Sequence, residues 1–373
     1  MELSKPEDGY TYLLDWKKYV RPETVVIIDS DQSSYQAAAA NERRTIKVTN
    51  KETQEVLEFK TRTEFWGRKK LSLGGWLADQ NLQREVNGLS LYTKDDFIVE
   101  DVQTPQDVRL CLSNVKSKIN HIMDHLGLTK YHCVIGGEGN FRLKLPSPEQ
   151  YKSNRDDSIR PLQLADAREY IEKYHKAIVV TGKEADDAIS QFGYEGYLHF
   201  KENGWFNYII ATFDKDNLTS PCLMFNTYSE EGIFKHPNPI FVDDGLGHLF
   251  LDKGKVKGQG FRFKCHQLVS GDPSDLVTPY QPFAKALKIN FGETSSYKLL
   301  QPLTSKKECL EAVIKQYKEW FPNGVEFINH DGREIKMSAG QWLDVIYKMI
   351  HMKTSDDDKS SLMQLIREVG AEY

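Results

Sequence analysis

The stretch "TGKEADDAIS", Thr181 to Ser190, places Glu184, Asp186 and Asp187 within four residues. Two unit charges about 4 Å apart repel by about 1 kcal/mol in bulk water and about 4 kcal/mol near a protein surface. Such a cluster must be solvated, partly protonated, paired with Lys or Arg, or wrapped around a cation. Three more groups have the same form: Asp29 and Asp31 in "IIDSDQ", Asp214 and Asp216 in "ATFDKDN", and Asp272 and Asp275 in "SGDPSD". Singly, each has a plainer reading. A DxD after a strand is usually a turn or helix N-cap, acids at a helix start complement its dipole, and "GDPSD" is a turn. Jointly, nine carboxylates at one edge of a fold would repel unless divalent cations neutralised them. Hard oxygen ligands at this density suit magnesium or manganese.

The elements that must position these acids follow from hydrophobic patterning. "TVVIIDS" (Thr24–Ser30), "YHCVIGGE" (Tyr131–Glu138), "AIVVTG" and "NYIIATFDKDNL" read as buried strands, three of them ending in acids or a Gly-Gly turn. "LADAREYIEKYHKAI" and "KEADDAISQFGYEG" read as helices between them. Strand–helix–strand order implies a mostly parallel α/β sheet, in which ligands bind at the carboxyl ends of the strands. At about 100° per residue, Glu184 and Asp187 share a helix face while Asp186 points elsewhere. All three reach one site if Glu184 precedes the helix proper, or if Asp186 and Asp187 straddle its first turn.

"TIKVTNKETQEVLEFKTRT" predicts a β-hairpin inside a basic, aromatic insertion. "IFVDDGLGHLFLD" predicts a hairpin around Asp244-Gly245, and "HQLV" a last strand leading to "SGDPSD". The remaining text is helical: "SSYKLLQPL", "SKKECLEAVIKQYKEWF" with Ser305 as N-cap, "AGQWLDVIYKMI", then a solvated "KTSDDDKSSL" and one short helix. The 373 residues suffice for one large core or about two domains. No apolar run approaches the roughly 20 residues of a membrane helix, and the charged N-terminus does not fit a signal peptide. Five cysteines without CxxC spacing read as reduced thiols in a cytoplasm. A net charge of -5 leaves room for a local basic track only.

The order "GKEADD", "FDKDN", "GDPSD", preceded by a strand ending in Asp29 and by "NFRLKLPSPEQYKSNR", resembles the 5′-nuclease superfamily. That superfamily includes flap endonucleases and phage 5′→3′ exonucleases. "NFGETSSYKLL", Asn290 to Leu300, is similar to its helix-three-turn-helix, with Gly292 at the second glycine position and Asn290 at the first. The resemblance runs from about Asp29 to Leu300. It departs from the family at Gly137, where a metal-binding Asp is usual and Glu138 is the neighbour, and at Leu276, where an Asn is usual.

The resemblance implies a PIN-like 5′-nuclease core: an α/β fold with a central, mostly parallel twisted sheet flanked by helices, a helical arch and a C-terminal helical region. It implies a core over 1–220, with a basic insertion at about 45–80 and the arch at about 140–165. A hairpin insertion and the last core strand would occupy 221–275, and the helix-three-turn-helix with C-terminal helices 276–373. It implies two Mg2+ ions, Mn2+ substituting, one generating hydroxide and one stabilising the leaving oxygen. Asp29, Glu184, Asp186 and Asp187, with Glu138, would serve the tighter site; Asp214, Asp216, Asp272 and Asp275 would serve the second, Asp214 bridging. Asp31 is assigned to a supporting or capping place. Asp29, Asp214, Lys152 and Arg155 would be catalytic, the two cations meeting the scissile phosphate. Tyr151 would stack on a base or pack in the core; Arg142 would contact phosphate or partner the acids. Gly292, Thr294, Ser295 and Lys298 would anchor duplex DNA, with K+ bound there.

Arg68-Lys69-Lys70 and Lys253–Lys264 are candidate backbone tracks, or ordinary solvated surface. The implied partner is DNA with a 5′ end or 5′ flap, or an RNA–DNA hybrid, met by a monomer in the cytoplasm (the host's, if phage-encoded) with no membrane. Two other readings remain open. One is a catalytically dead DNA-end binder of the same fold. The other is a haloacid-dehalogenase-type phosphatase, which "DSDQS" fits and "EADD", "DKD" and "YKSNR" do not.

Overall fold

The computed structural model describes residues 1–4, 9–68, 74–156, 158–230 and 232–373. In chain order they form β1 (Val25–Asp29), α1 (Ser30–Ala40), β2 (Glu42–Asn50), β3 (Val56–Phe59), α2 (Arg62–Trp66), α3 (Trp76–Val86), β4 (Phe97–Pro105) and α4 (Val108–Leu126). There follow β5 (Lys130–Gly136), α5 (Leu164–His175), β6 (Ile178–Val180), α6 (Ala185–Asn203), β7 (Tyr208–Thr212) and β8 (Cys222–Asn226). Next come β9 (Ser229–Glu230), β10 (Ile233–Phe234), β11 (Ile240–Val242), β12 (His248–Asp252), β13 (Lys255–Gln259), α7 (Gly260–Ser270) and α8 (Ala284–Leu287). The chain finishes with α9 (Glu293–Leu300), α10 (Lys306–Trp320), β14 (Val325–Ile328), β15 (Glu334–Met337), α11 (Ala339–Ile350) and α12 (Leu362–Val369).

Two compact units result: one of Met1–Ser33, Ser117–Ile159 and Tyr170–Tyr373, the other of Ser34–Lys116 and Arg160–Glu169. The positions 220 and 275, drawn as boundaries from the sequence, both fall inside the first unit. Within that unit the six-stranded sheet has the order β11-β8-β7-β1-β5-β6. All its pairs are parallel except β11 with β8. The fold is therefore α/β with a central, mostly parallel sheet. β1 lies between β5 and β7, so connections from it leave to opposite sides and open a crevice at its carboxyl end. Its residues Val26, Ile27 and Ile28 are fully buried, as their unbroken β-branched run requires. Helix α6 packs closely on this sheet because a Cβ at Gly196 would come within 2.7 Å of the Tyr208 carbonyl oxygen.

The same unit carries a second core, built from α7, α10, α11 and α12, with Cys265, Leu268, Leu310, Tyr317, Trp342 and Leu365 among its buried members. Three expectations are corrected here. "GFRFKCHQLVS" is helix α7, not strand, and ten of its residues are buried. A segment hidden on all sides carries neither the helical nor the strand period, so pattern alone misread it. The hairpin of this region is β12–β13. It turns at Lys253 and Gly254, both with positive φ, as a two-residue hairpin turn requires, and not at Asp244-Gly245. Among the described residues of the expected arch, about 140–165, two short 3-10 turns, Phe141–Lys144 and Ser153–Arg155, precede α5 in place of a helix; Arg142 and Tyr151 bury their side chains there.

The second unit is a three-stranded antiparallel sheet, β3-β2-β4, over a core of Ile46, Val48, Phe65, Leu77 and Phe97. The aromatic residues of the insertion are thus spent on packing. Its arginines are largely paired: Arg62 with Asp101 in a fork, Arg44 with Glu42 and Arg43 with Glu58. No helix among the described residues is long and apolar enough to cross a membrane. All five cysteines are free and buried.

Candidate active site

The carboxyl ends of β1 and β7 lie side by side, since Ile28 aligns with Ala211. Asp29, the last residue of β1, is 7% exposed and accepts hydrogen bonds from the Thr212 hydroxyl (3.1 Å) and the Gln32 amide (3.3 Å). Burial, with the charges of Asp31 and Asp214 nearby, pushes its carboxyl up to about 7. Asp31, in the first turn of α1, accepts from the Gly136 amide at 2.7 Å and so ties α1 to the end of β5. That contact fits the supporting place assigned to it.

Helix α6 begins at Ala185, and Glu184 is its N-cap in extended conformation. This is the first of the two arrangements the spacing allowed, and it sends Glu184 and Asp186 toward the sheet end. Burial, then Asp214, Asp29 and Glu184, hold the Asp186 carboxyl well above its ordinary value. Asp214 is raised by burial and Asp275, against the Asp216 amide that it accepts at 2.9 Å. Asp216 is pushed up to about 8 by burial and Asp214, and accepts from Gln267 of α7 at 2.6 Å. Buried carboxylates that repel one another hold protons more tightly.

The basic segment supplies cations to the same place. Lys152 adopts a left-handed backbone, φ 62°, and its ammonium bonds to Glu184 and lies 3.3 Å from Asp275. Arg155 bonds to Asp275. Tyr151, 2% exposed, donates to Asp275 at 2.8 Å and lies 3.1 Å from Glu184. Of its two alternatives, core packing is the one its surroundings fit; no face is left for a base. Lys215 pairs with Asp272 at 2.6 Å. Burial pushes Asp272 up, but Lys215 and the Ser274 donors bring it below the ordinary carboxylate value.

Arg142 is fully buried. It donates to both oxygens of Asp187 (2.7 and 2.9 Å) and to the carbonyls of Met349 (3.1 Å) and His351 (2.7 Å). Asp187 also accepts the Glu184 and Lys353 amides, so both its oxygens are doubly bonded. Of the two places open to Arg142, the structure has it partner the acids and not phosphate. Asp187 anchors the C-terminal segment instead of offering an open oxygen to an ion.

Glu138 is exposed; among the described residues its side chain has no recorded bond to the acids, and its carbonyl accepts the Gly182 amide. Gly137 has no room for a side chain: a Cβ would lie 2.9 Å from Val179 Cγ1 and from the Val180 carbonyl oxygen. Lys183 pairs with Asp356 at 3.3 Å, not with its neighbour Glu184. As placed here, no three Asp, Glu, His or Cys side chains among the described residues are arranged to hold an ion. The cations Lys152, Arg155, Lys215 and Arg142 occupy several of the carboxylate oxygens instead.

Away from the acids, α9 opens at Gly292, which is extended (φ -167°) with nothing within 4 Å of its Cβ position. Asn290 also lacks a positive φ, so left-handed backbone is not what these positions require; open space before the helix is. Thr294 and Lys298 are exposed and Ser295 half-buried. The Lys253–Lys264 track is broken, because Lys264 is buried and Arg262 is held by the carbonyls of Gln301 and Leu303. Lys69 and Lys70 lie outside the described residues. The residues that sequence reasoning missed are Lys215, visible between the acids of "DKD", and Thr212 and Gln267, which carry no signal until the fold brings them to the acids.

No protein-family model and no curated protein matches the chain. Solved structures similar to it include three of phage T5 proteins. The D15 protein of phage T5, co-crystallised with metal ions, is 16% identical over 65% of this chain and 82% of that one, with a TM-score of 0.37. A mutant T5 5′-exonuclease is 13% identical over 65% and 81%, TM-score 0.34. The T5 D15 flap endonuclease in a pseudo-enzyme–product complex with DNA and metal ions is 15% identical over 64% and 90%, TM-score 0.30. At these scores the likeness is slight, and the site is read from its own geometry.

Proposed function

We propose that the chain is a divalent-metal-dependent 5′ nuclease that hydrolyses phosphodiesters of DNA at a 5′ end or 5′ flap, in replication or repair. The observation that carries the reading is the meeting of Asp29, Glu184, Asp186, Asp214, Asp216, Asp272 and Asp275 with Lys152 and Arg155 at the carboxyl end of one parallel sheet. Asp29, Asp186, Asp214 and Asp216 are all held above their ordinary pKa by burial and mutual repulsion. An all-oxygen donor set in that state fits Mg2+ or Mn2+, whose charge relieves the repulsion. These four would hold the ions once their side chains turn toward one another, with Glu184, Asp272 and Asp275 joining as their cationic partners move away.

Bound divalent ions supply Lewis-acid stabilisation of phosphoryl charge and activation of water. The chain's own residues do the rest. Thr212 orients Asp29, and Gln267 orients Asp216. Lys152 and Arg155, released from Glu184 and Asp275, would meet the phosphate oxygens and stabilise charge as it develops. Gly292, Thr294, Ser295 and Lys298, at the open start of α9, would hold the duplex backbone, with K+ as the family resemblance implies. An RNA–DNA hybrid would be an alternative substrate, and the chain would act as a monomer.

The test is release of label from a 5′-end-labelled duplex and a 5′-flap substrate with Mg2+ or Mn2+. Asp214→Asn should lower cleavage by about 10²-fold or more while leaving DNA binding by fluorescence anisotropy intact. Tight binding by the native chain, without release under either metal, would favour the DNA-end binder instead.

A further inference from the structure

A cavity of about 520 Å³ in the same unit is lined by none of the acids of the sheet end. Its walls include Ser220, Lys264 of α7, the first turn of α10 with Lys306, and the loop after α11 with His351 and Asp358. Lys264 is 6% exposed. Its ammonium has one hydrogen-bond partner, His351 Nδ1 at 3.3 Å, and no carboxylate within ion-pair range among the described residues. The His351 Nε2–H in turn donates to Asp358 at 2.8 Å. Burial holds the histidine down to about 4, so its Nδ1 is a lone-pair acceptor and the lysine is the donor. Asp358 is already satisfied by the amides of Thr354 and Ser360 and by the Thr354 hydroxyl.

A buried ammonium is costly, and the nearest anion that supports this one, Asp358, is reached only through His351. Burial brings Lys264 down to about 8, which leaves it cationic through neutral pH. Beside it, Ser220 is 2% exposed and its hydroxyl has no partner. Lys306 adds a second cation near Lys264. Asp243, Asp244 and Glu368 also line the cavity. They accept from the Gly245 amide, Lys201 and Gln364 respectively and keep their negative charge, so an anion is favoured only at the Lys264 and Ser220 wall.

We infer that this cavity binds a phosphate monoester, with Lys264 and Ser220 on the phosphoryl oxygens and Lys306 at the mouth. Its volume lies in the range of small-molecule sites, about 300–1,000 Å³, so a nucleoside monophosphate fits as well as free phosphate. The inference is independent of the nuclease reading. The loop that frames the cavity also carries the Met349 and His351 carbonyls and the Lys353 amide that hold Arg142 and Asp187.

The experiment is isothermal titration of the metal-free, DNA-free chain with inorganic phosphate, thymidine 5′-monophosphate and thymidine. Both phosphates should bind and thymidine should not; tighter binding of the nucleotide would place its sugar and base in the rest of the cavity. Lys264→Gln keeps a donor for His351 and should weaken both at least tenfold. Lys306→Gln, at a half-buried position, should weaken both several-fold with little change in melting temperature. Absence of heat with either phosphate, equal affinity in Lys264→Gln, or binding of thymidine alone would overturn the inference.

Discussion

Replacing Arg142 by Met tests the anchor beneath the carboxylates. Both side chains of the Arg142–Asp187 pair are 0% exposed, and the arginine makes two bonds to the acid and two to C-terminal carbonyls. Methionine fills much of the volume but leaves Asp187 as a buried, uncompensated charge. Breaking such a pair from one side costs about 3–5 kcal/mol. The lost donors to Met349 and His351 push toward the upper end, since an orphaned buried acceptor costs about 1–3 kcal/mol.

The pH dependence follows from linkage. In the native chain burial pushes Asp187 up, but Arg142 and the Lys353 and Glu184 amides bring it below its ordinary value. Its contribution is therefore complete above the unfolded pKa of about 3.9 and lost as pH falls through the folded pKa. In Arg142→Met the main lowering partner is gone, and burial leaves the carboxyl raised. Stability of the variant then falls as pH rises above about 4, so its deficit is large at pH 7 and smaller at pH 5. Urea denaturation followed by tryptophan fluorescence at both pH values measures this. Adding Asp187→Asn should return about 2 kcal/mol by removing the stranded charge. A variant within 1 kcal/mol of the native chain at pH 7, or a deficit that grows toward pH 5, would refute the reasoning.

Three further outcomes are expected. Lys152→Ala frees Glu184 and Asp275 of a competing cation, so Mn2+ titrated calorimetrically should bind about 2–5-fold more tightly, while cleavage slows about 10²-fold. Weaker metal binding would show that Lys152 organises the acids instead of blocking them. Gly137→Asp, which puts an acid beside Glu138, should cost about 1–3 kcal/mol by overpacking without tightening Mn2+ binding; a neutral variant with improved affinity would contradict the crowding at Val179 and Val180. The metal-free chain should melt higher at pH 6 than at pH 8, because folded Asp29 and Asp216, raised to about 7 and about 8, bind more protons there than when unfolded. Mg2+ should recover the loss at pH 8, read as melting temperature by differential scanning fluorimetry.

Much of this site was legible from the chain alone. β1, β5, β6 and β7 each carry an apolar run, and α5 and α6 a helical period, so the parallel α/β layout and acids at the strand ends followed from local pattern. The angle between successive helical positions left two places for Glu184, and the fold chose the one before α6. What local pattern does not encode is which partner each charge takes. Arg142 and Lys152 are equally basic in sequence, yet one is sealed against Asp187 by residues 349–353, more than 200 positions away, and the other reaches the acids across the crevice. Helix α7 was misread for the same reason: buried on every side, it has no polar stripe to show its period. The acids, their order and their sheet end belong to the sequence. Which of them remain open to an ion is decided by packing, because a buried carboxylate is claimed by the nearest donors the tertiary fold brings to it.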